Sequence, residues 1–209
     1  TCTNGSSELM TNLSMSLVNA LYNLQLMKIA GENGVAAYGA VMYVNFIFVA
    51  TFLGYAIGCA PVISYHYGAG NHAELKNLYK KSMSIILVWG VILFGAAQLL
   101  APVLSKIFVG YNTGLYAMTL HGFRVYAIAF LIIGINIFGS SFFTALNNGL
   151  ISAVISFLRT LVFQVIMVLT LPLWFGINGI WSAISIAEAL TLIMTTTFFV
   201  RQKDKYHYL

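Results

Sequence analysis

The apolar and polar positions of the chain sort into six long hydrophobic runs separated by short breaks rich in glycine, asparagine or charge. The runs cover about residues 7–30, 35–64, 82–104, 125–146, 151–173 and 180–200. Each reaches the roughly 20 residues that a helix needs to cross the ~30 Å hydrocarbon core of a bilayer. The second run carries no charged side chain along its whole length and is long enough to span with some tilt. The breaks at Gly31-Glu32-Asn33-Gly34, Gly68-Ala69-Gly70-Asn71 and Asn147-Asn148-Gly149 are turn formers, because Gly and Asn tolerate positive backbone angles. Asn71-His72-Ala73-Glu74 fits a capping box. Leu75, Leu78 and Tyr79 after it predict a short amphipathic helix over 71–81, lying at the headgroups as a linker. Residues 106–122, with Gly110, Asn112 and Gly114, read as a longer connection. Pro172 should end or kink the fifth run. Pro61 should bend the second run by blocking one backbone bond, with Gly58 allowing the bend. Ala50, Gly54 and Gly58 fall four apart and give that helix a face on which another backbone can approach closely.

Polar residues inside apolar runs point into a bundle or a wet cavity when they share a face. Glu8, Asn12, Ser16, Asn19 and Asn23 recur at helical spacing along the first run and form one stripe. That stripe predicts the wall of a cavity, with interhelical hydrogen bonding as the plainer alternative. Glu8, near the end of the run, is also suited to a solvated helix start. The sixth run carries Ser182, Ser185, Glu188, Thr191 and Thr195. Glu188 is the one acid near the middle of any run. Placing a carboxylate there costs at least about 2.5 kcal/mol on insertion scales, so Glu188 is a candidate proton carrier or a packing carboxyl bonded to Ser or Thr. Asn136, Ser140 and Thr144 form a third inward stripe on the fourth run, or a Ser/Thr helix contact. Arg159, two turns into the fifth run, is expected to snorkel to the headgroups. Gln164 is expected to bond a neighbouring helix.

Composition narrows the class. Hydrophobic residues make up 60% of the chain and charged residues 7%, against roughly 25% charged in a soluble domain. The chain is therefore an integral, multi-pass membrane protein. Its net charge of +5 is no nucleic-acid signal, because the basic residues sit at the ends of apolar runs. With six spans both termini lie on one side. Lys76, Lys80, Lys81, Arg159, Arg201, Lys203 and Lys205 fall on that side, and Lys28, Lys106 and Arg124 on the other. The excess predicts cytoplasmic termini. Cys2 and Cys59 stand in no metal or redox spacing, and the four histidines share none. No nucleophile–base set, phosphate loop or HExxH motif is found, so an enzyme is not expected and no metal or cofactor is implied. The opening residues TCTNGSSE lack the basic start of a signal peptide and read as a break inside a longer protein.

Tyr38-Gly39, Gly54, Gly58, Pro61, Ser64 and the exit Gly68-Ala69-Gly70-Asn71 resemble the eighth helix of the multidrug and toxic compound extrusion (MATE) transporters. Ala187-Glu188 resembles an acid-bearing position of that family's last helix. The sequence departs from the family where Ala60 replaces a Gln, and where Ser185 or its neighbours replace a Pro. The resemblance covers almost the whole chain but only the second half of such a transporter. It implies an all-α, six-transmembrane-helix bundle, the C-terminal lobe of a twelve-helix transporter whose N-terminal six-helix lobe is the partner. It further implies a plasma-membrane antiporter that exports drugs or other amphipathic, cationic organic compounds in exchange for H⁺ or Na⁺. Some members place a cation-binding acid mid-way along the first and fourth runs of this half. Here Ser16, Asn19 and Asn136 occupy those depths. Resemblance to the proton-coupled branches then implies that an acid in the other half carries the coupling. The rival readings are a lipid-linked oligosaccharide flippase, which would need a more basic cavity, a membrane enzyme, and a non-catalytic membrane scaffold.

Overall fold

A computed structural model describes the backbone of residues 2–208 and the side chains of residues 14–208. Its helices are α1 (Cys2–Gly68), α2 (His72–Val109), α3 (Thr113–Ala127), α4 (Phe130–Ala145), α5 (Gly149–Phe157), a π-helical segment (Leu158–Phe163), α6 (Gln164–Phe175) and α7 (Ile177–Tyr206). No strand occurs among the described residues.

A straight helix of 67 residues would measure about 100 Å, three times the hydrocarbon core. Instead α1 folds back at Gly31, whose φ of 62° and ψ of −154° lie where essentially only glycine goes. The reversal is visible in side chains far apart in sequence. The Tyr22 and Tyr38 rings stack with centroids 5.0 Å apart, and the Tyr38 hydroxyl donates to Asn19 Oδ1 at 3.0 Å. The first two runs are thus the arms of one helical hairpin. With α3 and α4 counted as one bent crossing, the chain makes the six passes expected.

The second arm stays helical through Gly58 and Pro61, since Gly31 is the one non-helical position recorded within α1. Ala50, Gly54 and Gly58 are exposed, and a Cβ added at Gly54 or Gly58 would meet nothing within 4 Å. Among the described residues, none packs against that small-residue face at Gly54 or Gly58. The arm ends in a Schellman motif: left-handed Gly70 follows the helix, Asn71 N–H donates to His66 O at 3.0 Å, and Gly70 N–H donates to Tyr67 O at 3.1 Å. Asn147 fills the same role after α4, with a φ of 57°. Its neighbour Asn148 donates to Phe143 O at 2.8 Å.

Residues 72–81 are not a separate linker. They are the first turns of α2, which at 38 residues measures about 57 Å and outruns a bilayer. Asn71 does cap it, accepting from Glu74 N–H at 3.1 Å, but the Glu74 carboxylate turns to Asn77 rather than back to the cap. One face of α2 is buried from Leu75 to Val109 at steps of three and four, which holds the charged first turns in line with the apolar remainder. The expected long connection at 106–122 contracts to Gly110–Asn112, because Asn112 caps α3 by accepting from Gly114 and Leu115 N–H. The fifth pass continues beyond Pro172 and stops at Gly176, whose φ is 55°.

Helix α4 is the core. It packs against α1, α2, α5 and α7, and most of its side chains are buried. Gly134 admits the Phe52 ring and Ile86, into which any Cβ would run. The α3–α4 pair bends by 47° at Ile128-Ala129. There Ile128 and Ala129 bond to Val125 and Tyr126, one residue nearer than in an α-helix.

Candidate functional site

Between the two arms of α1, α3, α4, the π segment and α7 lies a cavity of about 700 Å³. Apolar and aromatic side chains make most of its wall, among them Met15, Tyr22, Tyr38, Met42, Phe46 and Tyr126. Two charged residues meet there. Glu188 of α7 is 1% exposed, and its Oε1 accepts from Arg159 Nε at 2.8 Å. Its Oε2 accepts from Asn136 Nδ2 at 2.7 Å, and the same amide nitrogen lies 2.9 Å from the Glu188 backbone oxygen. Both carboxylate oxygens are therefore occupied. Charge neutralisation with a hydrogen bond to each oxygen is what lets an acid persist at this depth.

The π segment sets Arg159 and Gln164 on one face, toward the cavity. In an α-helix residues five apart lie on different faces, whereas a turn bonded i→i+5 brings them nearly into line. Arg159 and Gln164 are five apart across this segment, and both line the cavity. Two further polar atoms of the wall, Tyr22 Oη and Asn45 Oδ1, are buried without a partner among the described residues. Buried polar atoms of this kind call for water or a ligand.

Residues 9–170 match the MatE family. The chain belongs to the MatE family. No curated protein sequence matches it. In fold this MatE chain is similar to the outward-facing conformation of a multidrug resistance MATE family transporter of the MOP superfamily. The TM-score is 0.89 at 21% identity, over 98% of this chain and 46% of that one. For the inward-facing conformation of a multidrug resistance MATE family transporter the TM-score is 0.90 at 21% identity, over 97% and 47%. A third similar structure is a MOP superfamily transporter from Pyrococcus furiosus, in which reverse polarity of the binding pocket suggests a different function. Its TM-score is 0.86 at 21% identity, over 95% and 45%. The MatE chain thus spans about half the length of the transporters it matches.

The residues singled out from sequence fall in three places. Asn19, Asn23 and Glu188 line the cavity, and Asn136 stands directly behind Glu188. Ser16 is exposed on the first arm and is not part of the wall. Ser140 is not in the wall either: its hydroxyl lies 2.9 Å from Ser152 Oγ and 2.8 Å from Ser156 Oγ, between α4 and α5. Glu8 and Asn12 lie outside the described side chains. Gly58 and Pro61 are exposed and touch no part of the cavity.

Arg159 corrects its sequence reading. It does not snorkel to the headgroups, because Glu188 supplies a closer counter-charge. Gln164 likewise faces the cavity. The Ser and Thr hydroxyls of α7 are not the partners of Glu188: Ser182 and Thr191 bond carbonyls of their own helix, at Asn178 and Ala187. Sequence reasoning also missed Tyr22, Tyr38, Asn45 and Tyr126. The available signal was Arg159 itself, since an ionisable residue deep in an apolar run implies a partner, and Glu188 is the only acid at comparable depth.

Proposed function

We propose that this chain is the C-terminal lobe of a plasma-membrane antiporter that exports amphipathic organic cations in exchange for H⁺ or Na⁺, acting with a second six-helix lobe. The observation that carries the reading is the ion pair set into the wall of a largely apolar cavity that also holds four aromatic rings. The exposed ring of Phe46 offers a π face to a cation, with the stacked Tyr22–Tyr38 pair behind it in the wall, and Met15 and Met42 adapt to varied shapes. Within this lobe H⁺ suits the site better than Na⁺. A proton needs one remaining lone pair of Glu188, whereas a hard cation needs several oxygens and would meet the Arg159 and Asn136 donors at both oxygens of Glu188. Protonation of Glu188 would free Arg159, altering the charge that the substrate meets. The similar fit to inward- and outward-facing relatives supports a lobe that rocks as a unit about a midplane cavity. Gly58 and Pro61 are the proposed points of bending. With Arg159 removed from the count, six basic residues against three still favour cytoplasmic termini.

The decisive test replaces Glu188 with Gln in the intact transporter and follows efflux of a fluorescent organic cation across a range of external pH. Efflux should fall and lose its pH dependence. Export with the wild-type rate and pH profile rejects the role of Glu188. A second reading, a flippase for an anionic lipid-linked sugar, gains support from Arg159 in the wall. Glu188 neutralises that charge, which favours the first reading. Preferential movement of an anionic lipid-linked sugar over an organic cation would reverse the order.

A further inference from the structure

Behind the cavity, four side-chain hydroxyls run in file between α4 and α5. Thr144 Oγ1 lies 2.7 Å from Ser152 Oγ, Ser152 Oγ 2.9 Å from Ser140 Oγ, and Ser140 Oγ 2.8 Å from Ser156 Oγ. The file begins at exposed Thr144, beside the Asn147 turn. At that turn Asn148 Nδ2 donates to Tyr206 Oη, so this end lies with the basic C-terminal residues. The file leads inward toward the ion pair. Asn136 is one helical turn before Ser140 on α4, and Arg159 follows Ser156 by three residues. Asn136 is 0% exposed, and its Oδ1 has no partner among the described residues although its amide nitrogen holds Glu188. Ordinary helix packing needs neither a continuous file of hydroxyls nor a buried empty acceptor at its head.

We propose that Thr144, Ser152, Ser140 and Ser156 form a proton path from the side of the termini to Glu188, separate from the substrate cavity. The inference rests on the H⁺-exchange reading above. A proton from water binds the Thr144 oxygen, which passes its own proton to the next hydroxyl, and so on to Ser156. Each oxygen gains one O–H bond and gives one up. Across the last gap, from the serine hydroxyls to Glu188, we place a water at the unpartnered Asn136 Oδ1, which stands one helical turn from Ser140. The proton ends as an O–H bond on Glu188, whose ion pair with Arg159 is thereby broken. Titratable groups facing Glu188 are Arg159 from the π segment, Tyr22 and Tyr38 from α1 and Tyr126 from α3, all in the cavity wall. None of them stands in the file. A separate path lets Glu188 exchange protons with one side while the cavity opens to the other.

The test uses the intact transporter in proteoliposomes with a trapped pH-sensitive dye, and adds an organic cation. Ser152→Ala should slow substrate-driven proton flux about tenfold or more, a barrier rise of ~1.4 kcal/mol, with substrate Kd unchanged. Ser152→Thr, which keeps a hydroxyl, should restore the flux. If Ser152→Ala loses substrate binding and so fails to fold, half-buried Ser156 carries the same comparison as Ser156→Ala. Wild-type flux in a folded alanine variant, or equal loss in Ser152→Thr, overturns the path alone. Absence of substrate-driven proton flux in the wild type overturns the exchange reading, and the path with it.

Discussion

Arg159→Met is expected to destabilise the folded chain by about 3–5 kcal/mol, because it strands the Glu188 carboxylate in a site that is 1% exposed. Asn136 would remain as a donor to one oxygen, which is too little to replace a full counter-charge. The double variant Arg159→Met/Glu188→Leu should recover most of the loss. Replacing a buried pair by apolar residues of similar volume ranges from neutral to stabilising by about 1–4 kcal/mol. Glu188→Leu alone should fall between the two, since Arg159, 17% exposed, keeps some access to the cavity. Chemical unfolding in detergent micelles, followed by far-UV circular dichroism, gives the four stabilities of the double-mutant cycle. A single Arg159→Met variant as stable as the wild type would mean that the pair is not closed in the folded protein.

Phe142→Ala should cost about 3–5 kcal/mol by opening a cavity at the most crowded point of the core. Phe142 is 0% exposed. Its ring meets Tyr79 at 5.3 Å, Phe138 at 5.5 Å, Phe199 at 5.9 Å and Tyr208 at 5.0 Å. These residues come from α2, α4, α7 and the segment after α7, so one ring ties three helices and the C-terminal tail together. Tyr208 also donates to Phe199 O at 2.8 Å, and its removal from the cluster should accompany the loss. Phe46→Ala is the control: that ring is 76% exposed, so the change in unfolding midpoint should correspond to within about 0.5 kcal/mol. Equal losses at the two positions would contradict the assignment of the core.

The architecture was legible wherever composition and turn chemistry act locally. Six apolar runs became six passes, and the turns fell at Gly31, Gly70 and Asn147 because those residues accept left-handed backbone. The cap at Asn71 was legible for the same reason. The bend at Ile128-Ala129 was not, since neither Pro nor Gly marks it. The continuity of α2 was hidden by its change from charged to apolar residues. That change marks where a membrane would begin, not where a helix stops.

The site was half legible. Asn19, Asn23 and Glu188 declared themselves by helical spacing on single elements. The pairing of Arg159 with Glu188 depends on a π turn and on α7 packing beside it, which no periodicity within one run encodes. Distance along the chain gave a further clue: Arg159 lies about ten residues from the Asn148 cap, which at ~1.5 Å per residue is half the depth of a bilayer. That depth is too great for a headgroup anchor. Ser140 and Thr144 illustrate the converse, since their spacing matched an inward stripe while their hydroxyls serve the contact with α5.

The central claim is that Asn19 and Asn23 of the first arm face the substrate-accessible cavity and not lipid. It is tested most directly by cysteine accessibility in the intact transporter, with Cys2 and Cys59 replaced by Ser. Asn19→Cys and Asn23→Cys should react with a membrane-impermeant maleimide and should be protected by an organic cation. Leu24→Cys, on the exposed apolar side of the same arm, should react slowly and show no protection. Asn19→Cys and Asn23→Cys reacting no faster than Leu24→Cys, or gaining no protection from the cation, would contradict the account.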